Sequence, residues 1–218
     1  VTADASVPTA IITGDATLNC TTTSITLDGS TSLGSSLSYE WQDGGGSTIG
    51  SSTTLGVSTP DTYTLIVTNT SNSCTNSTSV IISQDITTPS VVVNGPLVVD
   101  CNNPVAVLDG SGSDQGANFT YTWTDGGSGS LLGGGTTDTD STSTADTYTL
   151  TVLNTSNGCD DFATVAVTMD TVSPSANAGI DVNFPCGVTS VALDGSGSTG
   201  TGITYDWTGP GTITNGTS

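Results

Sequence analysis

The chain has 218 residues, 20 of them acidic and none Lys, Arg or His, for a formal net charge of −20. With no cation to displace phosphate counterions, such a surface excludes nucleic acid as a partner and repels anionic lipid. It also excludes side-chain ion pairs, His-based triads and Schiff-base lysines, so the chain is read as no enzyme.

Helical periodicity is absent, and two-residue alternation runs throughout. Residues 1–4 read as the tail of a preceding repeat, ending in the linker Asp4-Ala-Ser-Val-Pro8. Cys20 then precedes a strand with Ile25 and Leu27 on one face, closing on Leu27-Asp28-Gly29-Ser30. Leu37, Tyr39 and Trp41 share one face of the next strand. A Gly/Ser-rich loop, Asp43–Thr54, leads to Asp61-Thr-Tyr63-Thr-Leu65 and Val67. Cys74 marks a turn, Val80 and Ile82 a last strand, and Asp85-Ile-Thr-Thr-Pro89 a second linker.

The order then starts again. Cys101 precedes Ala106 and Leu108-Asp109-Gly110-Ser111; Phe119, Tyr121 and Trp123 follow, then the loop Asp125–Thr139 and Asp146-Thr-Tyr148-Thr-Leu150. Cys159 is the next turn, Val165 and Val167 the last strand, and Asp170-Thr-Val-Ser-Pro174 the linker. A third copy carries Cys186, Val191, Leu193-Asp194-Gly195-Ser196 and the strand Ile203, Tyr205, Trp207. Self-similarity at a spacing of roughly 80–85 residues marks a tandem array. The fold class is therefore all-β: tandem Ig-like antiparallel β-sandwiches over residues 5–88 and 89–173, with an incomplete third over 174–218. The Trp residues are expected in the cores rather than as sugar-stacking platforms, and Tyr63 and Tyr148 as tyrosine corners.

The LDGSxS motif, the Tyr-x-Trp strand, the TYTLxVxN strand and the Asn157-Gly158-Cys159 turn together resemble the polycystic-kidney-disease (PKD) type of Ig-like repeat. The form with a cysteine before the first motif looks like repeats of giant secreted surface proteins in bacteroidete-type bacteria. That resemblance implies stalks, spacers and adhesive arms, some of them attached to secreted degradative enzymes. The third copy departs from it, having Trp207-Thr-Gly-Pro-Gly where the others have Asp43-Gly44-Gly45 and Asp125-Gly126-Gly127.

Five cysteines, with no His and no CxxC pair, read as a disulfide framework in an oxidising, extracellular or cell-surface setting. Two pairings stay open. Pairing within repeats gives Cys20–Cys74 and Cys101–Cys159. Pairing between the base of one repeat and the top of the next gives Cys20–Cys159, because the two turns of one sandwich lie a strand length apart. Cys186 lacks a matching partner under either.

Asp61, Asp85 and Asp109, and again Asp146, Asp170 and Asp194, fall at equal steps, at the bottom of one repeat, in the linker and at the top of the next. If they converge, three carboxylates suit Ca²⁺. If they do not, each caps its own turn, which is the favoured expectation, and no cofactor is needed. Sequons at Asn19, Asn69, Asn76, Asn118, Asn154 and Asn215 are candidate glycosylation sites, and the Ser/Thr-rich stretch 136–144 a candidate for O-linked sugar.

No stretch approaches the ~18 apolar residues of a membrane span, so no membrane insertion is expected. No secretory leader is present, so an extracellular chain of this kind is expected to be processed or part of a longer one. The function expected is a structural element of a surface fibre, stalk or filament, associating with itself or with neighbouring repeats. A third sandwich without its last strands exposes unpaired edges, and strands from a neighbouring molecule completing it would polymerise the protein. The alternative is an adhesive or carbohydrate-binding arm that uses the two unlike loops, Asp43–Thr54 and Asp125–Thr139, to hold glycans.

Overall fold

Alternating burial sets the layers. In the computed structural model, which describes residues 5–214, the strand Asp61–Asn69 buries every second residue from Tyr63 to Asn69. The first sandwich has eight strands: β1 (Leu18–Asn19), β2 (Ile25–Asp28), β3 (Leu37–Gln42), β4 (Thr48–Gly50), β5 (Thr54–Val57), β6 (Asp61–Asn69), β7 (Cys74–Ile82) and β8 (Gln84–Asp85). β2 pairs with β5 in one sheet, and the order β4-β3-β6-β7 makes the other. β1 runs parallel to β8, continuing the edge beyond Ser83. Ile25, Leu27 and Val57 of the small sheet close on Trp41, Tyr63, Leu65 and Val67 of the large one.

The second sandwich repeats the plan with β9 (Leu97–Val99), β10 (Ala106–Asp109), β11 (Phe119–Thr124), β12 (Thr139–Thr142), β13 (Asp146–Asn154) and β14 (Cys159–Met169). Here β10 pairs with β12, and the larger sheet is ordered β11-β13-β14-β9, with β9 parallel to the end of β14. Its core, built on Leu108, Trp123, Tyr148, Leu150 and Val152, is separate from the first. The pairing of two sheets through a buried Trp and a corner Tyr is that of an Ig-like sandwich. The strands can be named accordingly: B is β2 or β10, C is β3 or β11, E is β5 or β12, F is β6 or β13, and G is β7 or β14.

Both expected corners form. Tyr63 donates its hydroxyl to the Thr59 carbonyl at 2.9 Å, and Tyr148 to the Thr144 carbonyl at 3.1 Å. Tyr148 also meets the hydroxyls of Thr142 (2.6 Å) and Thr144 (2.8 Å). Tyr63→Phe should therefore cost about 1 kcal/mol in urea denaturation and Tyr148→Phe about 2 kcal/mol, because the second leaves more buried polar groups unpaired. Equal losses would refute the difference.

The third copy differs from expectation. Among the described residues between 174 and 214 no strand forms; an isolated bridge joins Ser175 to Thr199, and Asp206 is a further bridge residue. The reason is the ladder. In the complete sandwiches strand B pairs with E and strand C with F, and the described part of the third copy has neither partner. What does survive is local. Ser198 Oγ accepts from Asn177 N–H at 2.9 Å, as Ser32 does from Ile11 (3.0 Å) and Ser113 from Val92 (2.9 Å). The second serine of the recurrent Asp-Gly-Ser-x-Ser motif thus clasps the incoming chain even where no sheet follows. Leu193 is 50 % exposed, whereas its counterparts Leu27 and Leu108 are fully buried.

Candidate functional site at the repeat junction

The residues that act together lie where the first sandwich meets the second. Cys20 enters on a tight turn after β1: Asn19 Oδ1 accepts from the N–H groups of Thr21 (3.0 Å) and Thr22 (2.6 Å). Cys159 stands at the F–G turn of the second sandwich, its N–H bonded to Asn157 Oδ1 at 3.0 Å. The two sulfurs are joined, with the Cα atoms 5.1 Å apart. This corrects the pairing within repeats and realises the pairing between them. Cys20 sits beside the end of strand G, since Leu18 N–H bonds the Ser83 carbonyl. Cys74 opens that strand, nine residues of β7 away, or roughly 30 Å. A bridge needs Cα atoms within about 7 Å.

Backbone and side-chain bonds surround the sulfurs. Cys20 N–H donates to the Asn157 carbonyl at 3.1 Å. Asn157 Nδ2 donates to Asp85 Oδ1 (3.1 Å) and to the Thr87 carbonyl (3.0 Å), tying the F–G turn to the linker it follows in space. Gly158, at φ 69°, lies so close to Thr21 that an added Cβ would sit 2.3 Å from its Cγ2. Gly158→Ala should therefore loosen the junction, because both the left-handed backbone and the contact disfavour a side chain. Faster hydrogen exchange at Cys20 and Cys159, with the strands of both cores unchanged, is the expected readout.

The six carboxylates considered for Ca²⁺ do not converge. Among the described residues no group of three or more potential metal ligands is assembled. Asp61 accepts from Gly44 and Thr62, and Asp146 from Ser128 and Thr147. Asp109, Asp170 and Asp194 each cap the N–H two residues ahead. Asp85 alone reaches across repeats. The Thr87 N–H first, then the Asn157 amide, hold its carboxyl below the usual aspartate range. Bonds from Ser30, Ser111 and Ser196 lower Asp28, Asp109 and Asp194 likewise.

A depressed folded pKa contributes stability above the ordinary aspartate value and loses it as pH falls through the lower folded value. With salt present to screen the negative surface, the thermal midpoint should be flat above about pH 5 and fall progressively below about pH 4. At neutral pH, added NaCl should raise the midpoint. Only like charges exist for it to screen, so a fall would refute the electrostatic reading.

The sequons fall unequally. Asn69 is 1 % exposed, with Nδ2 turned toward Ser6, so a sugar there would have to break the fold. Asn19 uses its side chain in the Cys20 turn, and Asn76 donates to the Pro8 carbonyl at 3.0 Å. Asn154 Oδ1 accepts from Ser156, leaving its nitrogen uncommitted, and Asn118 is exposed at the C-strand entry. Asn215 lies outside the described residues, as do residues 1–4.

Of the two unlike loops, the second is held from inside. Asp140, on β12, accepts from the N–H groups of Gly133 and Gly135 at 2.6 Å each. In the sequence Asn157 and Gly158 stand out only as part of a recurrent motif, with no role at a junction, and Asp140 not at all. For the first, the recurrence of Asn two positions before Cys, at Asn72 and Asn157, is the available signal.

No family model matches the chain, and no curated protein does. Solved structures do. The three N-terminal domains of the bacteriophage RB49 highly immunogenic outer capsid protein (Hoc) align at 18 % identity and TM-score 0.40, over 81 % of this chain and 63 % of theirs. An I-band fragment of titin aligns at 11 % and 0.38, over 77 % and 65 %. Sidekick-1 immunoglobulin domains align at 12 % and 0.38, over 83 % and 42 %. The chain thus spans less than two thirds of the length of each. At these scores the likeness carries no argument, and the sheet order rests on the strand pairing described above.

Proposed function

We propose that this chain is a stiff spacer of an extracellular or surface-attached assembly, a section of stalk or fibre built from Ig-like sandwiches stacked end to end. The observation that carries this reading is the placement of the disulfide. Cys20–Cys159 does not reinforce either core; it fixes one sandwich to the next. A bond so placed serves relative orientation, which matters to a spacer and little to a freely hinged chain. A disulfide also suits an oxidising compartment. Self-association of the chain, including completion of the third copy by strands from a neighbour, belongs to the same reading.

Small-angle scattering of the oxidised protein tests the proposal. A rigid spacer gives a maximum dimension that changes little with temperature below unfolding. Dithiothreitol should broaden the distribution of distances as the junction frees. A broad distribution before reduction would overturn the reading. The adhesive alternative predicts selective capture of sugars by the two loops on a glycan array.

A further inference from the structure

Three cysteines remain outside the observed bond: Cys74, half-buried, and Cys101 and Cys186, both exposed. We propose that Cys101 is the receiving half of a second inter-repeat disulfide, taking the F–G-turn cysteine of an Ig-like repeat that follows. Cys74 is correspondingly the donating half toward a repeat that precedes. The inference rests on the stacked-array reading and deepens it, extending one observed bond into a rule for the whole array.

The two turns around these cysteines are copies of the turns that already bond. At Cys101, Asp100 Oδ1 accepts from Asn102 (2.8 Å) and Asn103 (2.7 Å), and Asp100 N–H donates to the Asn103 carbonyl at 3.0 Å. At Cys20, Asn19 makes the same three bonds with Thr21 and Thr22. At Cys74, the N–H bonds Asn72 Oδ1 at 2.9 Å, as Cys159 N–H bonds Asn157. Asn72 Nδ2 donates to the Ser6 carbonyl at 3.0 Å, as Asn157 does to the Thr87 carbonyl. Ser6 and Thr87 hold the same place in their linkers, two residues after Asp4 and Asp85 and two before Pro8 and Pro89. Half of each further junction is therefore already built.

An independent observation lies at the base of the second sandwich. A concavity of about 250 Å³ opens there, lined by Val99, Cys101, Pro104, Ser143, Met169 and Asp170. The corresponding end of the first sandwich is where the Asn157–Cys159 turn seats, with Gly158 against Thr21. The occupant that fits is thus an F–G turn of the Asn-x-Cys kind. Residues 174–214 hold the position of the following repeat, with Leu193 uncovered. An F–G hairpin laid on that segment would carry its turn to the concavity, as the β13–β14 turn is carried to Cys20.

Bond formation joins two thiols as S–S, releasing two protons and two electrons. A disulfide-class oxidant, small-molecule or protein, takes up both and is reduced to two thiols.

The test is disulfide mapping of the full protein, taken oxidised from its source. Free thiols are alkylated without reduction. Because the chain has no Lys or Arg, an aspartate-directed protease replaces trypsin. The expected result is a Cys101 peptide linked to a peptide whose cysteine follows an Asn-x pair. If the linked peptide contains Cys74, a second copy supplies the turn; if it has another sequence, a further repeat does. Alkylated Cys101, or Cys101 bonded to Cys186 of the same chain, overturns the proposal. Cys101→Ser should abolish the cross-link and leave Cys20–Cys159 intact. Free Cys101 in a protein that still scatters as a rigid spacer sinks this inference alone. Linked Cys101 in a flexible protein sinks the spacer reading instead.

Discussion

Pulled from its two ends, the reduced chain should reach a contour length roughly 480 Å longer than the oxidised one, from 139 residues at about 3.5 Å each. The disulfide closes a loop of sequence separation 139 that contains strands β2 to β13, most of both sandwiches. Force entering at one terminus crosses from Cys20 to Cys159 through sulfur and bypasses them. Force spectroscopy with and without reductant measures the difference directly. A gain near zero would mean that the bond is absent. Closing so long a loop should also contribute about 2–4 kcal/mol, so reduction or Cys159→Ser should lower the thermal midpoint by roughly 10 °C. Because the two cores are separate, calorimetry should resolve two transitions after reduction.

The second large effect concerns tryptophan. Trp41→Ala should destabilise the first sandwich by about 3–5 kcal/mol, enough to unfold much of a marginal domain. Trp41 is fully buried between the sheets, and its Nε1 donates to the Ser52 carbonyl at 2.9 Å. Trp123 is 2 % exposed, and its Nε1 has no partner among the described residues. The cavity cost should be alike at both, so Trp→Phe separates the remaining difference. Trp41→Phe forfeits a hydrogen bond and leaves the Ser52 carbonyl without its donor, whereas Trp123→Phe removes an unpaired donor. The first should be the costlier by about 1–2 kcal/mol in chemical denaturation. If Trp41→Ala left stability unchanged while abolishing sugar binding, the residue would be a binding platform instead.

The sheets were legible in the sequence because alternation is a local signal. Ile25/Leu27 and Ala106/Leu108 turn inward as their two-residue spacing predicts, and the Thr-Tyr-Thr-Leu pattern marks strand F in both copies. The cysteine pairing was legible only as two alternatives, since spacing says how far apart two turns are along the chain and not which sandwich ends abut. The evenly spaced carboxylates left two readings open for a related reason. Equal steps in sequence do not make side chains converge, and an Asp followed by Gly or Thr finds N–H donors within one or two residues. The strands expected at Val191/Leu193 and Ile203/Tyr205/Trp207 had the right pattern. A strand also needs a neighbour, and theirs would come from the E and F positions. Asp140 had no sequence signature at all, because the Gly133 and Gly135 amides it gathers are placed by a loop that only the folded sandwich closes.

One consequence of the junction bond concerns damage. A peptide-bond cut anywhere between residues 20 and 159 opens the backbone, yet the two fragments stay joined through Cys20–Cys159. The exposed loop 125–139 is such a place. The chain therefore tolerates a nick in that loop without parting. Within residues 20–159, covalent parting of the chain requires a backbone cut together with loss of the disulfide.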